Sequence, residues 1–292
     1  MFFGVVMGLL ASASWAAANV FVQRSGRLLG SVRALVWTQL LGIVAMLPVM
    51  LLAERRPSLP VGGAGWAWLV VAAAAALLAY TSMFHSMERG RLSIVVPVMS
   101  SWSVVAAALS IGVLGETLRR KHLAGAGLVV AGVLIVSRFS VRDAGAGATP
   151  ANRATERRAL LAAAGAALGF GVLIPSIDRL APFAGRLGAI PLVYALDLLL
   201  GLPLLFVRRF DVRPPSLRAL PVVGAAAIFE TAGFVWISLG VAGAPVSIVS
   251  PLASLASAFT VLYAWVVLGE RPPRPVLLGA ALACAGVITL SF

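Results

Sequence analysis

Ser93-Ile94-Val95-Val96-Pro97 and Ser247-Ile248-Val249-Ser250-Pro251 are two copies of one phrase, and their surroundings are copied too. Tyr80–Ser137 aligns without a gap on Phe234–Ser291. Leu114-Gly115-Glu116 falls on Leu268-Gly269-Glu270, Gly125-Ala126 on Gly279-Ala280, and Gly132 on Gly286. Self-similarity over so long a stretch marks a chain built from two related halves.

The halves are apolar. The chain of 292 residues is 61% hydrophobic and only 11% charged, whereas a soluble chain carries about 25% charged residues. Its net charge of +13 comes from arginines in short breaks between apolar runs. That placement forms no basic, aromatic-interleaved face, so nucleic acid is not an expected partner. The lone Cys284 lies inside an apolar run, which excludes a disulfide framework and suggests a packed thiol. A long internal repeat in so apolar a chain suggests a transporter, with the lipid bilayer as its surroundings.

A membrane span needs about 20 apolar residues. On that template ten spans are expected: Phe2–Val22, Ala34–Ala53, Trp66–Met87, Ser93–Leu114, Leu123–Ser137, Leu160–Ile177, Leu187–Val207, Leu217–Leu239, Pro245–Leu268 and Val276–Ser291. The run at Phe2 lacks a basic leader and has a counterpart at Leu160–Ile177, so it reads as a retained span. The fold class is therefore an all-α integral membrane protein. Residues 1–137 form a first five-helix repeat, 138–158 a polar hinge, and 159–292 a second repeat. Five is odd, so the second repeat enters the membrane upside down, giving inverted repeats. Most of the 23 basic residues fall on the side of the hinge, which puts the hinge in the cytoplasm and both termini outside. Arg119-Arg120-Lys121 runs against that bias.

Proline removes the bond to the carbonyl four residues back. For Pro97 that carbonyl belongs to Ser93, and for Pro251 to Ser247, so a bend is expected near the start of the fourth span of each half. It either lines a substrate path or only shapes packing. Ser100 and Ser103 match Ser254 and Ser257 as small polar stripes that serve close packing or substrate contact. Gly125, Gly132, Gly279 and Gly286 read as helix-packing faces. Glu116 and Glu270 read as caps of the following helix, with proton carriage as the alternative.

The paired fourth and fifth spans, with Leu-Gly-Glu, a basic turn and a Gly-rich helix, resemble the EamA domain of the drug/metabolite transporter superfamily. Trp15-Ala16-Ala17-Ala18-Asn19 is similar to the Trp-small-x-Asn pattern of that domain's first helix. The second copy departs there: Phe170-Gly171 replaces the Trp, and Pro175 stands near the Asn position. The resemblance implies ten helices, inverted repeats, a central cavity and alternating access. Within that family the chain looks most like bacterial amino-acid exporters, including the aromatic amino-acid branch, which implies an inner-membrane location.

Polar groups inside a span are costly and mark candidate sites. Trp15 and Asn19 share a face of the first span; Asn19 either binds substrate or bridges helices. Thr81, His85 and Glu88 form a stripe on the third span, flanked by Tyr80 and Phe84. His85 titrates near neutrality and is a candidate proton carrier, or else a neutral hydrogen-bonded ring. Glu88 reads as the partner of Arg89 and Arg91. Trp102 is placed to stack on an apolar ligand or on its neighbours. Glu230, with Thr231 beside it and Phe234 one turn on, is the strongest candidate for a substrate ammonium or a coupling proton. Asp197 reads as a helix-to-helix bond, and Asp178 with Arg179 as an interfacial pair. No cofactor, metal or catalytic constellation is expected, since one Cys, two His and no phosphate-binding Gly loop supply none. A small molecule, an amino acid or similar metabolite, is the expected partner, with multidrug carriage and a non-transporting membrane protein as rivals.

Overall fold

The computed structural model describes residues 2–53, 62–115, 150–268 and 274–291, together with part of 123–139. In chain order its helices are α1 (Phe2–Leu29), α2 (Ser31–Ala53), α3 (Gly62–Arg89), α4 (Leu92–Ser100), α5 (Trp102–Gly112), α6 (Pro150–Ala184), α7 (Ala189–Arg208), α8 (Leu220–Gly243), α9 (Val246–Ala253), α10 (Ala256–Leu268) and α11 (Arg274–Ser291). The described residues between 123 and 139 are helical as well. Among the described residues seven segments are long and apolar enough to cross a bilayer: 2–29, 31–50, 62–89, 95–112, 154–184, 189–207 and 220–243. The ninth expected span is α9 with α10, and α11 lies in the tenth. The helix α6 already begins at Pro150, inside the stretch read as a hinge.

Large aliphatic side chains point outward: Leu10, Val44, Val70, Leu78, Leu161, Leu168, Leu199 and Ile228 are all exposed. Between helices the chain places small residues instead. Ala72, Ala76 and Ala79 of α3 and Ala159, Ala163 and Ala166 of α6 are all fully buried, on two helices that pack against each other. Lipid is as apolar as leucine, so helix association in a bilayer rests on close packing of such small groups. Gly169 shows how close the approach is: a Cβ there would lie 2.6 Å from the Ala79 amide nitrogen. The four glycines read as packing faces, Gly125, Gly132, Gly279 and Gly286, are all buried.

The pairing of helices is reciprocal. The most extensive contacts are α1 on α8 and α3 on α6, so the first helix of each half lies along the third helix of the other. Likewise α2 packs on α8 and α7 on α3. The fourth span of each half is interrupted, into α4 and α5 and into α9 and α10, and here too the halves cross. α4 contacts α10 while α5 contacts α9. A leading piece meeting a trailing piece means the two interrupted spans run antiparallel.

The interruptions fall one turn beyond the positions expected from proline. α4 stays helical through Pro97 and α9 through Pro251. The ladder then tightens, with the Ser101 N–H donating to Val98 O and the Leu255 N–H to Leu252 O, both at 3.2 Å. A serine hydroxyl accompanies each break. Ser101 Oγ donates to Val98 O and Ser254 Oγ to Pro251 O, each at 2.7 Å, competing with the backbone for carbonyls of the last turn. Ser247 is fully buried at the start of α9, and the side chain of Ser93 lies outside the described residues. At the far end of α5, the Leu114 N–H donates to Leu109 O at 3.0 Å and Gly115 takes φ +74°. That left-handed turn suits glycine and stops the helix. Glu116 and Glu270 lie outside the described residues.

Candidate functional site

Trp15, at the middle of α1, sets the site. Its Nε1 donates to the Glu230 carbonyl oxygen at 3.3 Å, and its ring lies across Gly233 of α8. A Cβ at Gly233 would come within 2.7 Å of Trp15 Cε2, so only glycine admits the indole there. Held this way, Trp15 meets Phe234 edge-on at 5.2 Å and Trp102 at 5.9 Å and 90°. These are geometries that aromatic quadrupoles favour.

The second half supplies the mirrored arrangement. Phe170 of α6 meets Tyr80 of α3 at 5.3 Å and 82°. Tyr80 and Phe234 are equivalent positions in the duplicated segment, and their rings touch at 6.3 Å. The molecule's centre is therefore an aromatic cluster with one member of an equivalent pair from each half. Tyr194 of α7 closes it, 5.7 Å from Tyr80 and 6.1 Å from Phe234, with the two tyrosine hydroxyls 3.1 Å apart.

Beside this cluster lies a pocket with a cavity of about 50 Å³. Trp15, Trp102 and Phe170 form aromatic walls, Met83 and Met99 add adaptable sulfur-bearing sides, and Asn19, Ser100 and Glu230 bring polarity. The helix interruptions open onto it through Ser100, Trp102 and Ala256. Trp102 and Ala256 are equivalent positions, so the repeat's asymmetry puts a ring on one wall and space on the other. The Glu230 side chain is 4% exposed and lies beside the Tyr80 hydroxyl. No arginine, lysine or histidine is among the described lining residues.

Five of the residues singled out in the sequence thus line one pocket: Trp15, Asn19, Ser100, Trp102 and Glu230. Tyr80 and Phe234 back it through the aromatic cluster. Asn19 also bridges helices, its Nδ2 donating to Thr260 Oγ1 on α10 at 3.1 Å. Ser254 is buried in the second interruption and spends its hydroxyl on the backbone.

Two residues go elsewhere. His85 lies against the Arg89 guanidinium one turn along α3, away from the pocket, because the i, i+4 spacing makes them neighbours on the helix surface. Thr81 donates to the Leu77 carbonyl and faces a different crevice. Two ion-pair expectations are also corrected. Glu88 Oε2 accepts the Ser31 N–H at 3.1 Å, capping the start of α2 in place of pairing with Arg89 or Arg91. Asp178 pairs with Arg186 at 3.6 Å, while Arg179 donates to the Leu114 carbonyl oxygen at 2.7 Å. Asp197 makes the helix-to-helix bond expected, accepting from Gln39 Nε2 at 2.7 Å.

Sequence reasoning did not place Phe170 or Tyr194 in the cluster. Phe170 had a signal, since it stands where the second copy replaces its tryptophan. Tyr194 had a weaker one, as one of only three tyrosines and three residues before a buried acid.

Helices with lipid-facing leucines, small-residue interfaces and a central pocket between two halves define a multi-pass membrane protein. The chain belongs to the EamA-like transporter family, whose model matches residues 2–138 and again 157–292. Its members are transporters of small molecules. Comparison with curated proteins gives no match. Among solved structures, a crystal structure described only as that of a protein is similar with a TM-score of 0.70 and 19% identity, covering 98% of this chain and 95% of the other. At that identity the likeness concerns the fold alone.

Proposed function

We propose that this chain is a secondary carrier that exports amino acids with apolar or aromatic side chains from a bacterial cytoplasm. It works by alternating access between two inverted five-helix repeats, with the segment 138–158 cytoplasmic and the termini periplasmic. One observation carries the substrate class: a buried carboxylate, Glu230, in a pocket walled by Trp15, Trp102 and Phe170. A carboxylate shielded from water seeks a positive partner, and an ammonium on an aromatic body satisfies both the charge and the walls. Asn19 and Ser100 are polar neighbours for the rest of the ligand.

Inversion is supported by the antiparallel crossing of the interrupted spans and by the reciprocal packing of α1 on α8 and α3 on α6. Alternating access then amounts to one half rocking on the other around the aromatic cluster. The interruptions give each half-span its own freedom to tilt.

A second reading has its own support. Among the described residues no cation lines the pocket to receive a substrate carboxylate, which favours a lipophilic amine over a zwitterion. Counterflow in proteoliposomes separates the two. Labelled phenylalanine and tryptophan exchange if the amino-acid reading holds. Exchange of aromatic amines without amino acids selects the multidrug reading, and no exchange of either class removes both.

A further inference from the structure

A second crevice, of about 50 Å³, lies between α2, α3 and α7. It extends along α7 from Phe210, just past the helix end, inward to Asp197. The stretch from Leu205 to Asp197 alone is about 12 Å of helix. Val32, Val36, Leu204 and Leu205 make its walls apolar. The loop after α7 is strapped across this end of the bundle. Arg33 donates to the carbonyls of Arg213 and Pro214 at 2.7 and 2.6 Å and pairs with Asp211 at 3.5 Å. Trp37 Nε1 donates to Val212 O at 3.1 Å.

Asp197 is 1% exposed at the inner end. Gln39 satisfies its Oδ2, but its Oδ1 has no hydrogen-bond partner. Beside Gln39 only the Leu198 N–H favours the ionised form, and burying an ionised carboxylate with no countercharge is expensive. The groups facing it are few and known. Gln39 comes from α2, Tyr80 and Thr81 from α3, and Tyr194 stands one turn before it on α7. Glu230 lies beyond Tyr80 on α8. No arginine, lysine or histidine lines this crevice among the described residues. A proton needs only the free Oδ1.

We propose that Asp197 is the proton site of this carrier: it takes up and releases one proton per cycle in a crevice separate from the substrate pocket. The proton adds to the carboxylate oxygen and leaves from it, with no other bond made or broken. The paired hydroxyls of Tyr194 and Tyr80 reach from the Asp197 side of α7 to the Glu230 carboxyl. They place a polar link to Glu230 one helical turn from Asp197 in an otherwise aromatic centre. Loss of the Asp197 charge in one direction of travel, and its return in the other, is then felt at the pocket.

This inference rests on the carrier reading above, and its test is built so that the two fail separately. Proteoliposomes are loaded with substrate and given a gradient of one pH unit, which supports up to about tenfold accumulation per proton exchanged. Wild type is expected to accumulate in response to the gradient. Asp197→Asn, a neutral isostere that keeps the Gln39 contact, is expected to lose that response while its counterflow exchange continues. Exchange without any gradient response in wild type, or an intact response in Asp197→Asn, overturns the proton site and leaves the carrier reading standing. A second measurement needs no substrate. Dicyclohexylcarbodiimide, an apolar reagent for protonated carboxyls in membranes, is expected to label Asp197 less as pH rises, as read by mass spectrometry. Labelling confined to Glu230, or no labelling at Asp197 at any pH, overturns the inference even if no exchanged substrate is found.

Discussion

Replacing Gly233 with alanine tests the geometry on which the pocket depends. The added methyl would sit within 2.7 Å of Trp15 Cε2, a contact that the rigid indole cannot relieve by rotating a flexible end. Overpacking of this kind costs about 1–3 kcal/mol. If Trp15 moves away it also gives up its bond to the Glu230 carbonyl, worth about 1 kcal/mol. Alanine's better helix propensity returns about 1 kcal/mol. The net loss is about 1–3 kcal/mol, or a factor of about 5 to 150 in the folded population. Gly224→Ala provides the control. It lies on the same helix α8, but its Cβ would meet nothing within 4 Å, so the propensity gain stands alone. Thermal stability of the two variants, followed by size-exclusion chromatography after heating in detergent, is expected to move in opposite directions. Gly233→Ala should also weaken substrate binding, since the displaced indole is a pocket wall. If Gly233→Ala is as stable as Gly224→Ala, the packing of Trp15 on α8 is wrong.

Glu230→Gln is expected to reduce exchange of ammonium-bearing substrates by more than about tenfold while the protein stays monodisperse, since removing a charge-assisted contact costs about 1.5–3 kcal/mol. A double-mutant cycle between Asn19→Leu and Thr260→Val, read by thermal stability, should give a coupling of about 0.6 kcal/mol, typical of interhelical bonds in membranes. Gly169→Ala, whose methyl would meet the backbone of Ala79, is expected to destabilise more than Gly165→Ala, whose near neighbour is only the Ser82 hydroxyl at 3.0 Å. His85→Ala should leave exchange unaltered, because the ring lies against Arg89 outside the pocket; a large loss would return His85 to the transport path.

Hydropathy made the helices legible, because a span must satisfy its own backbone in lipid and so shows as one long apolar run. The duplicated phrase likewise pointed to the interrupted spans. It misplaced the interruptions by a turn, since each helix continues through its proline and breaks only where the ladder tightens at Ser101 and Ser254. The stripe of Thr81, His85 and Glu88 was visible as a stripe. Its destinations were not: the three side chains turn to a carbonyl, a guanidinium and the cap of α2, none of which a helical period can reveal. Trp15, Asn19, Trp102 and Glu230 were found because each is an expensive or bulky group in mid-span. That Trp15 must rest on Gly233 follows only from which helices cross.

The contact between Tyr80 and Phe234 has a consequence for how such a chain diversifies. A side chain at the meeting point of two equivalent units has its own counterpart as neighbour. In a pair of identical subunits every substitution there is made twice, so a hydroxyl on one side brings a hydroxyl on the other. Fusing the units into one chain lifts that restriction. Here a tyrosine faces a phenylalanine, and its single hydroxyl turns toward Tyr194 and Glu230. Two copies bound to one another would have to share a polar axis or an apolar one; one chain holds both at once.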